Sequence, residues 1–118
     1  MLKVSLVLLL VVAYVAAKKG DTDSTKVAND AWKAPIVDGK AIASYCGGRM
    51  NSATLTVKSY ELSATTPGIT KYSMKVDIAT PKSGSSEAFT LKNQVFEVTK
   101  GPGKKLTIGK NPCRGDLS

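Results

Sequence analysis

The chain has 118 residues, with 17 basic against nine acidic side chains, two cysteines and no histidine. That length fits one domain, and the lack of histidine removes the commonest general base and the commonest metal ligand. Fifteen of the 17 basic residues are lysine, which suits diffuse attraction to acidic surfaces more than planar recognition of phosphate, so no nucleic-acid partner is expected.

The chain opens with "MLKVSLVLLLVVAYVAA". Lys3 gives a positive start, Val4 to Val15 form an apolar run, and Val15-Ala16-Ala17 supplies short side chains at a cleavage site. The run is shorter than the roughly 20 apolar residues that span a bilayer. Residues 1–17 therefore read as a signal peptide, predicting a secreted, extracellular chain of net charge +7 with no transmembrane segment after cleavage. No Asn-x-Ser/Thr sequon follows.

Residues 18–33 read as an N-terminal arm. Within it Val27, Ala28, Ala31 and Trp32 have helical spacing, with Ser24 or Thr25 as a cap. A short helix and an irregular segment planting Trp32 on the core both fit, since Asn29, Asp30 and Pro35 oppose a helix.

Residues 34–113 read as a β domain. Asp38-Gly39 is a two-residue hairpin signal, predicting strands near 34–37 and 40–46. "TLTVKSYEL" changes apolar phase between Val57 and Tyr60, which predicts a β-bulge near Lys58 or Ser59. Pro67-Gly68 suits a type II turn. "KYSMKVDI" alternates strictly, with Tyr72, Met74, Val76 and Ile78 on one face. "AFTLKNQVFEVTK" places Phe89 and Leu91 in one phase and Phe96 and Val98 in the other, so a turn or bulge is expected near Asn93. Gly101-Pro102-Gly103 breaks the chain before a last strand with Leu106 and Ile108 inward.

These elements predict an all-β fold: a small antiparallel sandwich, immunoglobulin-like in shape, or a barrel of about six to seven strands. True immunoglobulin hallmarks are missing, because Trp32 precedes Cys46 and Asn111 stands where a tyrosine is expected. In an oxidising compartment Cys46 and Cys113 form the one intrachain disulfide available. The 68-residue loop it closes is worth about 4 kcal/mol at most by chain entropy.

An enzyme is not expected. With no histidine and both cysteines paired, the remaining candidates are carboxylates such as Asp77 and Glu97, which read as solvated strand-face groups beside Lys75 and Lys92. "GPGKK" lacks the spacing of a phosphate loop. No cofactor and no intrinsic metal are implied.

Two constellations remain. Lys92, Lys100, Lys104, Lys105 and Lys110 crowd the last third of the chain, with Arg114 nearby. If "VFEVTK" and "KKLTI" pair through the Gly-Pro-Gly turn, Lys100, Lys104 and Lys105 gather at one end of the sheet, and the group reads as a sulfated-glycan or anionic-surface site, or as a solvated, aggregation-resisting edge. The second is Arg114-Gly115-Asp116, directly after Cys113 in the tail 114–118. This tripeptide resembles the integrin-recognition motif of adhesive matrix proteins and of antiadhesive venom and salivary proteins. The resemblance covers three residues. It implies an integrin-type receptor whose divalent ion is completed by the Asp116 carboxylate, in trans, while Arg114 reaches an acidic pocket. The function expected is that of a secreted, non-enzymatic integrin ligand, adhesive or antiadhesive. The alternatives are a structural or adhesive component whose lysine-rich surface holds acidic polymers, and a small lipid carrier.

Overall fold

The computed structural model describes residues 17–115 and Leu117. The signal segment predicted at 1–17 lies, but for Ala17, outside the described residues, as do Asp116 and Ser118.

The polypeptide forms one open antiparallel sheet of five strands with a helix laid on one face. The strands are β1 (Lys18–Lys19), β2 (Thr54–Thr66), β3 (Ile69–Ala79), β4 (Thr90–Lys100) and β5 (Leu106–Ile108), in the spatial order β1-β2-β3-β4-β5. The helix α1 (Thr22–Lys33) sits between β1 and β2 in the chain. The fold is thus rich in sheet and carries the Cys46–Cys113 disulfide, but a helix covers the sheet where a second sheet was expected. The expected strand count falls short for a local reason. Asp38 and Gly39 do form the turn, at φ +53° and +77°, and Val37 and Lys40 exchange both backbone hydrogen bonds. The ladder stops there, because Pro35 has no N–H to donate and the chain coils into 3₁₀ turns at Ile42–Tyr45 and Gly48–Ser52.

The helix starts before the expected cap. Asp21 is the N-cap: its carboxylate accepts from the Ser24 N–H at 2.8 Å, and the Ser24 hydroxyl accepts from the Asp21 N–H at 3.0 Å. That reciprocal pair satisfies two donors that a helix otherwise leaves orphaned. Val27, Ala28, Ala31 and Trp32 then line the buried face. Trp32 is fully buried, donates its indole N–H to the Met50 carbonyl at 2.9 Å, and meets Phe96 edge-on with ring centroids 5.8 Å apart.

Asn29 is polar for a reason that helix propensity does not reveal. Its side chain donates to the Leu55 carbonyl and accepts from the Leu55 N–H, both at 2.9 Å. It therefore stands in for a strand partner where β1 is too short to cover β2. Gly20 permits the approach of β1 to β2. A Cβ there would fall 1.7 Å from the Val57 carbonyl oxygen, so any side chain would push the strands apart.

The inner face of the sheet follows the period-two pattern. Met74, Val76 and Ile78 are buried, with Leu55, Val57, Phe96 and Val98 beside them. The register between β2 and β3 shifts between Val57 and Ser59, so Lys58 is the extra residue that resets the phase. Between β3 and β4 it shifts opposite Asp77, where Asn93 has φ +57° and donates its N–H to the Asp77 carboxylate at 3.1 Å. Phe89, by contrast, lies before β4 and is 42% exposed, with the Arg49 guanidinium 5.1 Å from its ring centroid.

The 12-residue helix is about 18 Å long, whereas the 13-residue β2 extends about 43 Å. The helix begins level with Tyr60, whose hydroxyl donates to Asp21 at 2.5 Å, and it ends by Met50. The sheet beyond Tyr60 therefore runs past the helix and ends in the β2–β3 and β4–β5 turns.

Candidate functional site

The C-terminal segment is built around Asn111. Its side chain is buried, and three of its four hydrogen bonds go into the turn that follows. Oδ1 accepts from the backbone N–H of Cys113 at 3.0 Å and of Arg114 at 2.7 Å. Nδ2 donates to the carbonyls of Gly109 at 2.9 Å and Gly115 at 2.6 Å. Asparagine provides both donors and acceptors on one short arm, which is why it can hold such a turn alone. Gly115 has φ +76°, a conformation that suits glycine.

The turn is tethered on both sides. Before it, Cys113 is bonded to Cys46, with Cα atoms 4.9 Å apart. After it, the Leu117 N–H donates to the Gly109 carbonyl at 3.3 Å, and the Leu117 side chain packs against the core. The sequence offers no sign of this second tether. Leu117 shares a cleft with Thr107 and Ile108 and with Ile36 and Val37, the last two remote from it in the chain.

Arg114 lies across this corner. Its guanidinium donates to Asp38 Oδ2 at 2.9 Å and sits 4.7 Å from the centroid of the Tyr45 ring. The Tyr45 hydroxyl in turn donates to the Val37 carbonyl at 3.1 Å. The Asp38-Gly39 turn, the half-buried Tyr45 and Arg114 thus form one cluster at the surface. The hydrogen bond it donates to the Asp38 carboxylate holds the guanidinium pKa above its ordinary value. Both partners are solvent-accessible, with side chains 38% and 78% exposed. Ion pairs of that kind hold a side chain weakly, so Arg114 is oriented but remains available for exchange. Asp116, the third residue of the motif, lies outside the described residues.

The lysines divide into two groups. β4 pairs with β5 through the Gly101-Pro102-Gly103 break, with Lys100 opposite Leu106, so Lys100, Lys104 and Lys105 gather at the β4–β5 turn. All three are exposed. Lys92 lies eight residues back along β4, about 25 Å away at the opposite end of the sheet. Lys110 stands between, and its backbone N–H donates to the Glu97 carboxylate at 3.4 Å.

The carboxylates Asp77 and Glu97 do not share a site. Glu97 is opposite Ser73, which is four residues from Asp77 along β3, or about 13 Å. Each has its own lysine, Lys58 at 3.8 Å and Lys71 at 3.6 Å. A groove beside the disulfide, lined by Tyr45, Arg49, Met50, Phe89 and Leu91, contains Arg49, already donating to the Pro81 and Glu87 carbonyls. Among the described residues no three His, Cys, Asp or Glu side chains come together as metal ligands, and no helix is long and apolar enough to cross a membrane.

Compared with protein-family models, with curated proteins and with solved structures, the chain matches none of them.

Proposed function

We propose that this is a secreted, non-enzymatic binding protein that presents Arg114-Gly115-Asp116 to an integrin-type receptor. One observation carries the reading: Arg114 and Gly115 lie in a turn tethered before by the Cys46–Cys113 disulfide and after by Leu117. A recognition loop held from both sides loses less conformational entropy on binding than a free tail does. The Gly115 conformation turns the backbone sharply between the two charged residues. The Arg114 guanidinium is already aimed at a carboxylate, Asp38, in a weak exposed pair, so transfer to an acidic receptor pocket exchanges one carboxylate for another. The Asp116 carboxylate would complete the receptor's divalent ion. A lipid carrier fits less well, because the core is packed between helix and sheet with Trp32 and Phe96 at its centre.

The test is adhesion of integrin-bearing cells to the immobilised protein in Mn²⁺ and in EDTA, beside Asp116→Glu. Glutamate keeps the charge but moves the carboxylate by one methylene. Cation-dependent adhesion that the variant loses is the expected result. Equal adhesion by the variant would sink the reading.

A further inference from the structure

We propose that the β4–β5 turn is a second binding site, for a sulfated polysaccharide, distinct from the corner that holds Arg114. The charge there is of one sign, with no acidic residue in the hairpin loop or in the stretch that follows it. Lys26, Lys58 and Lys71 each pair with a nearby carboxylate. Lys100, Lys104 and Lys105 have no acidic partner among the described residues, and no acidic residue occurs from Val98 to Gly115. Three cations on six consecutive residues with no counter-charge raise the local potential and concentrate an anionic polymer.

The backbone gives an independent indication. The turn is closed by a hydrogen bond from the Gly101 N–H to the Lys105 carbonyl at 2.7 Å. Within it both Gly103 and Lys104 are left-handed, at φ +68° and +62°. Glycine or asparagine would occupy the second position at less steric cost. A lysine needed only for solubility could stand at any exposed site. Keeping one in this strained position puts its charge at the tip of the hairpin. The neighbouring strands add hydroxyls at the same level, with Thr70 opposite Lys100 and Thr99 opposite Thr107.

The chemistry of the turn selects among polyanions. Its tip is Gly101, Pro102 and Gly103, with no large apolar side chain to bury in a bilayer interface. It has no aromatic platform for bases and no arginine fork for phosphates. Lysine ammonium groups serving as separated point charges fit sulfates spaced along a chain.

The probe is heparin, with binding of the full mature protein measured across a salt series. Lys100→Gln, Lys104→Gln and Lys105→Gln combined should weaken binding at least tenfold. The slope of log Kd against log salt should fall by about 2 to 3. A control removing equal charge elsewhere, Lys40→Gln, Lys82→Gln and Lys92→Gln, should stay within about twofold of the parent, because those charges lie outside the turn. Arginine at the same three turn positions should retain binding, which separates loss of charge from damage to the hairpin. Equal losses in the two glutamine triples would overturn the proposal, leaving net charge as the cause. Tight binding to phosphatidylserine vesicles without retention on heparin would overturn it in favour of a lipid surface. Neither EDTA nor Asp116→Glu should affect heparin binding, so this site and the integrin reading can fail separately.

Discussion

Tyr60 and Asp21 share a 2.5 Å hydrogen bond that joins the helix cap to β2, and each shifts the other's titration. Hydrogen bonds from Tyr60 and then Ser24 hold the Asp21 carboxyl below its ordinary 3.8. Its contribution to stability is present above that value and is lost as pH falls through the lowered one. The same bond pushes the Tyr60 hydroxyl up from 10.0 to about 12. That contribution is complete below pH 10 and is lost as pH rises toward 12. Melting temperatures measured from pH 6 to pH 12 should therefore draw together for the parent and Tyr60→Phe at the alkaline end, with the parent the more stable near neutrality. A constant gap across that range would show that the hydroxyl acts without titrating. Arg114 supplies a second test at this scale. Asp38→Asn removes its carboxylate partner while leaving the turn geometry intact, so integrin-dependent adhesion should rise modestly. A fall would mean that Asp38 orients Arg114 productively.

The elements differ in how they were legible. β3 was plain from alternation alone, because a half-buried strand must alternate. The bulge at Lys58 was legible from a phase change, since a one-residue insertion flips every later side chain. The helix start was misplaced although its signal is local, since Asp21 caps through Ser24 three residues on and the bond from Tyr60 only adds to that pair. Asn29 was not legible: it lowers helix propensity yet completes the edge of β2. Asn29→Ala should cost about 1–3 kcal/mol in chemical denaturation, because the Leu55 N–H and carbonyl lose their partner. Asn29→Asp should not restore it, since a carboxylate cannot donate to the carbonyl. Trp32→Ala should cost about 3–5 kcal/mol through the cavity left against Phe96.

At the scale of the molecule, the disulfide ties the C-terminal turn to the segment between helix and sheet. Replacing Cys46 and Cys113 by serine should lower stability by up to about 4 kcal/mol on the chain-entropy estimate. It should also weaken cation-dependent adhesion more than heparin binding, because the β4–β5 turn is held by strand pairing and not by the disulfide. Adhesion unchanged in the serine variant would mean that the clamp on Arg114 and Gly115 is irrelevant to recognition. The expectation of a sandwich failed at this scale for a simple reason. Alternation says that one face of a sheet is covered, but not by what, and a helix of modest apolar content served as the cover.

The amino-acid order by itself determined the period-two strand β3, the Asp-Gly and Pro-Gly turns, the disulfide pairing and the segregation of charge in the last third of the chain. These depend on local sterics, on the redox rule for cysteines and on residue counts. Only the tertiary structure decided that one open sheet is backed by a helix and that Leu117 anchors the far side of the Arg114–Gly115 turn. Those outcomes depend on contacts between residues remote in the chain, which no local pattern encodes.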